Sequence, residues 1–134
     1  MVHLPEKPKA MSKKRLRRIA DGLWMEACRK KWGGKCIITG QEAGPSHHFF
    51  PKGQYAHLRY DLDNGINISV GSHWRLHSTS DPELVEKIKE RREAIQPGWF
   101  AELRMKAYAR PVSSLETVSW YKSNIERLKA YLDS

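Results

Sequence analysis

Between positions 33 and 81 turn residues interrupt the chain so often that no long helix fits there. This limits the fold more than any other feature. Gly33-Gly34 stop one helical stretch, 40–45 carry turn chemistry, 51–63 form a polar and aromatic loop, and Gly71-Ser72 turn the chain again. The pieces between read as strands. Residues 35–39 and 46–50 are expected to pair as a hairpin. In 65–70, Ile66, Ile68 and Val70 alternate with Asn67 and Ser69, the period of a half-buried strand. A short helical segment is expected at 73–77.

Helical patterns flank this stretch. Leu16, Ile19, Leu23 and Ala27 recur at helical spacing within 12–32, weakened by Gly22 and ended by Gly33-Gly34. Asp81-Pro82-Glu83 is a helix start, with Asp as N-cap and Pro at the first helical position. Leu84, Ile88 and Ile95 mark that helix's inner face. Pro97-Gly98 breaks it, and a further helix is expected over 99–109. Ser113-Ser114-Leu115-Glu116 reads as a capping box opening a last helix to about Leu132, with Val118, Tyr121, Ile125, Leu128 and Leu132 as its stripe. Residues 1–11, with Pro5 and Pro8 and no apolar period, read as a mobile arm. Residues 12–134 then form a single α+β domain.

Charge adds a clue about partners. The chain of 134 residues carries a formal charge of +9, and residues 1–35 alone hold 11 basic and 3 acidic side chains. A basic segment on a nearly neutral body points to a polyanion, with nucleic acid ahead of an anionic membrane surface. No apolar run spans a bilayer and no signal-peptide core opens the chain, so a cytoplasmic protein is expected. Two cysteines, Cys28 and Cys36, cannot build a disulfide framework or a complete Cys-only zinc site.

The chemistry-bearing residues cluster in the middle. His73 and His77 stand at i and i+4, so on a helix both imidazoles face one cation. Alone, such a pair is more often a helix-surface feature. His47 and His48 are adjacent on an expected strand and diverge, which lets one bind metal while the other stays free. Asn64 lies nine residues before His73. His57 and His3 have no evident partner and are expected to be exposed, and Cys36 is expected to be a buried hydrophobe.

A tandem His, an Asn, and His-x-x-x-His after two strands resemble the ββα-metal, or His-Me finger, nucleases of the HNH class, in the layout found in nuclease colicins. The resemblance implies an α+β fold with a ββα-metal core at about 35–79, flanked by the N-terminal basic helix and a C-terminal helical part at 81–134. It implies His47, His73 and His77 as ligands of one divalent ion (Mg, Mn, Zn or Ni), His48 as general base, and Asn64 as the residue that ties the loop and orients the base. Cys36-Ile37-Ile38-Thr39-Gly40 and Leu58-Arg59-Tyr60-Asp61-Leu62-Asp63-Asn64 are similar to stretches of phage HNH proteins, including the NinG-type recombination nucleases. There the chain departs from the pattern. Thr39, Ser69 and Ser72 stand where the family has Cys, so no structural zinc knuckle is expected, and packing must hold the hairpin.

Phosphodiester hydrolysis needs an activated water and stabilisation of charge on the phosphate and leaving oxygen. The expected activity is therefore metal-dependent endonucleolytic cleavage of DNA, double-stranded or branched, with no membrane partner. Lys13, Lys14, Arg15, Arg17 and Arg18 on the basic helix, with Lys52, Arg59 and Arg75, are the candidate phosphate contacts. Two other readings compete. One is a non-catalytic DNA-binding protein with a structural zinc on the same histidines and Cys36, and the spare His48 argues against it. The other is a helical interaction protein that functions through 81–134, and the intact histidine set argues against that.

Overall fold

The computed structural model describes residues 10–69, 71, 81–111 and 115–134. Among these the chain is mostly helical, with four α-helices and one small antiparallel sheet. Helix α1 (Lys13–Trp32) starts where the Ser12 side chain accepts the Arg15 N–H. It stops at Gly33, whose φ of 90° is a conformation that glycine adopts without strain. Strands β1 (His47–His48) and β2 (Gly65–Ile66) pair antiparallel, His47 opposite Ile66 and His48 opposite Gly65. Two 3-10 turns, Ala56–Leu58 and Leu62–Asn64, fill the loop between them. Then come α2 (Pro82–Ile95), α3 (Trp99–Tyr108) and α4 (Val118–Asp133).

Two hydrophobic clusters organise the interior. In the first, Leu16, Ala20, Trp24, Ala27 and Cys28 of α1 meet Tyr121, Ile125 and Leu128 of α4, with Tyr60 between them. In the second, Leu84 and Ile88 of α2 and Trp99, Leu103 and Ala107 of α3 close over Ile66 and Ile68, with Cys36 and Leu58. Trp32 packs against both. Gly65 sits where the sheet presses on α1, and a Cβ there would collide with Cys28 Sγ. The small residue thus sets how closely β2 approaches the helix.

Several expectations change at this level. The strand expected at 35–39 does not pair with 46–50. Lys35 makes a single bridge to Glu42, and Cys36 closes a turn by accepting the Gly40 N–H at 2.9 Å. The partner of His47–His48 is β2 instead, because Asn64 holds the intervening loop together. The last helix begins at Val118, capped by the Thr117 hydroxyl on the Trp120 N–H. Ser113 and Ser114 of the expected capping box lie outside the described residues. Ile95 is 65% exposed, and Arg92 takes its place on the inner face of α2. The Arg92 guanidinium lies 3.5 Å from the Trp32 ring centroid and 5.1 Å from that of Trp99, and it donates to Gly65 O and Asn67 Oδ1. Residues 1–9 of the expected arm also lie outside the described residues. No helix among the described residues is long and apolar enough to cross a membrane.

Candidate active site

The site is built around His48. Its ring stacks on the Trp24 indole, with centroids 4.1 Å apart and planes 3° from parallel. Its Nε2 lies 2.9 Å from the Arg59 carbonyl oxygen. A carbonyl can only accept, so Nε2 carries the proton and donates it, which leaves Nδ1 of the neutral ring with its lone pair. Burial pushes the His48 pKa down to about 4. The Arg59 carbonyl works against that shift, while the charges of Lys52 and Arg59 add to it. The imidazole is therefore neutral at physiological pH and presents an acceptor nitrogen.

Each support of His48 is itself supported. The Trp24 Nε1–H donates to Asp61 O at 3.0 Å, which fixes the indole beneath the imidazole. Asp21, three residues earlier on α1, accepts from Arg59 Nε at 3.0 Å and Nη2 at 2.9 Å, and from the Tyr60 hydroxyl at 2.8 Å. Burial opposes the Arg59 charge, but the bonds to Asp21 outweigh it and hold the guanidinium above its ordinary value. The fork anchors the backbone segment whose carbonyl orients His48.

Asn64 is fully buried and all its polar atoms are bonded. Its Oδ1 accepts the Phe50 N–H at 2.8 Å, and its Nδ2 donates to Phe50 O at 3.1 Å and Leu58 O at 3.2 Å. Its main-chain oxygen accepts from Phe49 N. One amide thus staples the chain just after His48 to the chain just before Arg59, alongside the His48–Arg59 bond itself.

His47 and His48 line one cleft of about 440 Å³ together with Met25, Ser46, Pro51, Lys52 and Gly53. Adjacent residues of a regular strand point to opposite faces, yet both histidines line this space. Lys52 is exposed at its edge. His73, His77 and Arg75 lie outside the described residues. Among the described residues no three His, Cys, Asp or Glu side chains converge as a metal group would.

The other candidates divide. Lys13, Lys14, Arg15 and Arg18 are exposed on α1. Arg17 instead donates from Nε to the Tyr121 hydroxyl at 2.9 Å, so it joins α1 to α4. Arg59 is only 9% exposed and is forked on Asp21. His57, expected to be exposed and partnerless, is half-buried with Nε2 2.9 Å from the Lys106 carbonyl oxygen.

Cys36 is buried, as expected, but it is not an ordinary hydrophobe. Burial raises a thiol, yet hydrogen bonds from the Thr39 hydroxyl and the N–H groups of Thr39, Ser69 and Ile38 outweigh it and bring Cys36 down to about 6. Thr39 and Ser69, two of the positions that the resemblance assigns to zinc ligands, thus gather round the remaining cysteine as donors. Trp24 and Asp21 belong to no motif legible in the sequence. Trp24 does fall at helical spacing from Leu16 and Ala20, but the Arg59 carbonyl carries no side-chain signal at all.

The chain matches no family model, no curated protein and no solved structure.

Proposed function

We propose that the chain is a metal-dependent endonuclease of the ββα-metal (HNH) type that hydrolyses DNA. The observation that carries this reading is the His48 arrangement: a neutral ring stacked on Trp24, its Nε2–H held by a backbone carbonyl, and its other nitrogen left as an acceptor beside a cleft. A general base must be unprotonated and oriented before substrate arrives. In this reading Nδ1 of His48 takes the proton from water as the water attacks phosphorus. Asn64, Trp24 and the Asp21–Arg59 pair hold the ring in place through that step.

The donor chemistry fits a divalent ion. His47 lines the cleft beside the proposed base, and the i, i+4 spacing of His73 and His77 in the sequence is one that suits two further imidazole ligands. An ion held by His47, His73 and His77 would supply Lewis-acid stabilisation of the charge that builds on the phosphate and the leaving oxygen. Lys52, exposed at the cleft edge, supplies a positive charge for a neighbouring phosphate.

The charge of α1 supports a polyanionic substrate. Its first turn has no acidic residue and begins Lys13-Lys14-Arg15, at the end where the helix dipole is already positive. That arrangement costs helix stability, and an approaching phosphate relieves the cost.

The test is nicking of supercoiled plasmid with Mg, Mn, Zn or Ni, by the wild-type chain and by His48→Ala. The expected result is metal-dependent nicking that falls by ~10²–10⁴ in the variant while metal binding persists. Equal activity in the variant, activity that survives chelation, or cleavage of RNA alone would overturn the reading.

A further inference from the structure

Gly22 stands in the middle of the 20-residue helix α1, where only proline would be a poorer helix former. Nothing in the packing of the described residues asks for it. The position is exposed, its φ is not left-handed, and apart from the helix's own backbone no atom of the described residues lies within 4 Å of where a Cβ would stand. Glycine is the residue that lets another chain or a ligand approach a helix at backbone distance.

Its neighbours indicate what that is. Lys14, Arg18, Gly22 and Met25 follow one another at spacings of four, four and three, so they share one face of α1. At one end of this stripe Lys14, Arg15 and Arg18 line a cleft. At the other end Met25 lines the cleft of His47, His48 and Lys52. Of the acidic groups beside the stripe, Asp21 is neutralised by its bonds to Arg59 and Tyr60, and Glu26 is exposed one turn beyond Gly22. From Lys14 to Met25 is roughly 16 Å of helix.

We infer that the sugar–phosphate backbone of the DNA crosses α1 at Gly22, with phosphates on Lys14 and Arg18 before the crossing and the reacting phosphate in the histidine cleft beyond Met25. This rests on the nuclease reading and adds the path of the substrate. Glycine at the crossing lets the strand approach by the depth of a side chain.

The test measures binding of a fluorescent random-sequence duplex to the full chain with chelator present, so that nothing is cleaved. Wild type is compared with Gly22→Ala and Gly22→Leu. Both variants place better helix formers in open space, so both should melt at or above the wild-type temperature. Affinity should nonetheless fall, more for leucine than alanine, with the leucine loss about fivefold or greater. The salt dependence should keep its slope because no charge has changed. Wild-type affinity in both variants would overturn the crossing and leave the nuclease reading intact. Should the leucine variant aggregate, the same result in the alanine variant alone would do so. A wild-type chain that fails to bind duplex DNA would overturn both.

Discussion

His48 lies face to face on Trp24, 4.1 Å between ring centroids and 3° from parallel, so the position of the proposed base is set by α1 rather than by its own strand. Two-residue strands are too short to orient a side chain unaided. The indole is in turn fixed by its bond to Asp61 O. Trp24→Phe should keep an aromatic floor but lose that bond, and kcat for plasmid nicking should fall while the melting temperature drops only modestly. Trp24→Ala should cost about 3–5 kcal/mol of stability, as deletion of a large buried ring does. Unchanged kcat in a folded Trp24→Phe chain would remove the indole from the positioning of His48.

Asn64 offers a second separation. Asn64→Ala strands the buried Leu58 carbonyl and the part-buried N–H and carbonyl of Phe50; a buried polar group left unpaired costs about 1–3 kcal/mol, so urea denaturation should show at least that loss. Asn64→Asp keeps the acceptor for Phe50 N and loses the donors to Phe50 O and Leu58 O. It should therefore be recovered partly at low pH, where a protonated carboxyl donates again. An Asn64→Asp chain whose stability does not rise on acidification relative to wild type would contradict the staple.

Much of this framework is legible without the fold. The helix starts at Ser12 and Asp81 and the stop at Gly33 follow from local capping chemistry, which acts within one turn. The partner of His47–His48 is not legible, because pairing depends on closure of the loop by Asn64 and on the fit of Gly65 against Cys28, both long-range contacts. Arg92 escapes the sequence pattern for a similar reason. An inner-face position at spacing four from Ile88 is open to it, but burial of a guanidinium there depends on the facing Trp32 and Trp99 rings and on the acceptors Gly65 O and Asn67 Oδ1. The pair His47–His48 and Asn64 are visible as types and spacing, whereas the Arg59 carbonyl that orients His48 has no sequence signature.

Arg92 leads to a test of its own. Its Nε and Nη1 are buried with no hydrogen-bond partner among the described residues, and burial pushes its pKa down to about 10. The side chain works through stacking and through Nη2. Arg92→Met keeps the bulk between the indoles and removes the buried charge. Arg92→Lys keeps the charge and loses the planar stack. Thermal melts should rank methionine above lysine, and the reverse order would show that the charge itself holds β2.

The Cys36 thiol makes a pH prediction. Its folded pKa, about 6, lies below its ordinary value of 9.0, so the folded chain favours the thiolate. The resulting stabilisation is fully present above the ordinary value and is lost as pH falls through about 6. Relative to Cys36→Ala, wild type should gain stability between pH 6 and 9 and lose the advantage below. Thr39→Val, which removes the hydroxyl donor, should move the thiolate absorbance titration upward. A difference between wild type and Cys36→Ala that is flat across this range would show that Cys36 stays protonated.

The basic helix gives the sharpest electrostatic test because its five candidates are not equivalent. Lys13, Lys14, Arg15 and Arg18 are exposed, while Arg17 is bonded to the Tyr121 hydroxyl. Changing the four exposed residues together to Gln should flatten the salt dependence of duplex binding by about 0.9 for each phosphate that is no longer neutralised. The weakening should be similar for unrelated sequences, because phosphate contacts position a protein without reading bases. Arg17→Gln should behave differently. It breaks a link between α1 and α4, so the melting temperature should fall while the salt slope stays near wild type. An unchanged slope in the fourfold variant would make these charges a solvated face. A slope lowered as much by Arg17→Gln as by any exposed residue would mean that the Tyr121 bond gives way when DNA binds.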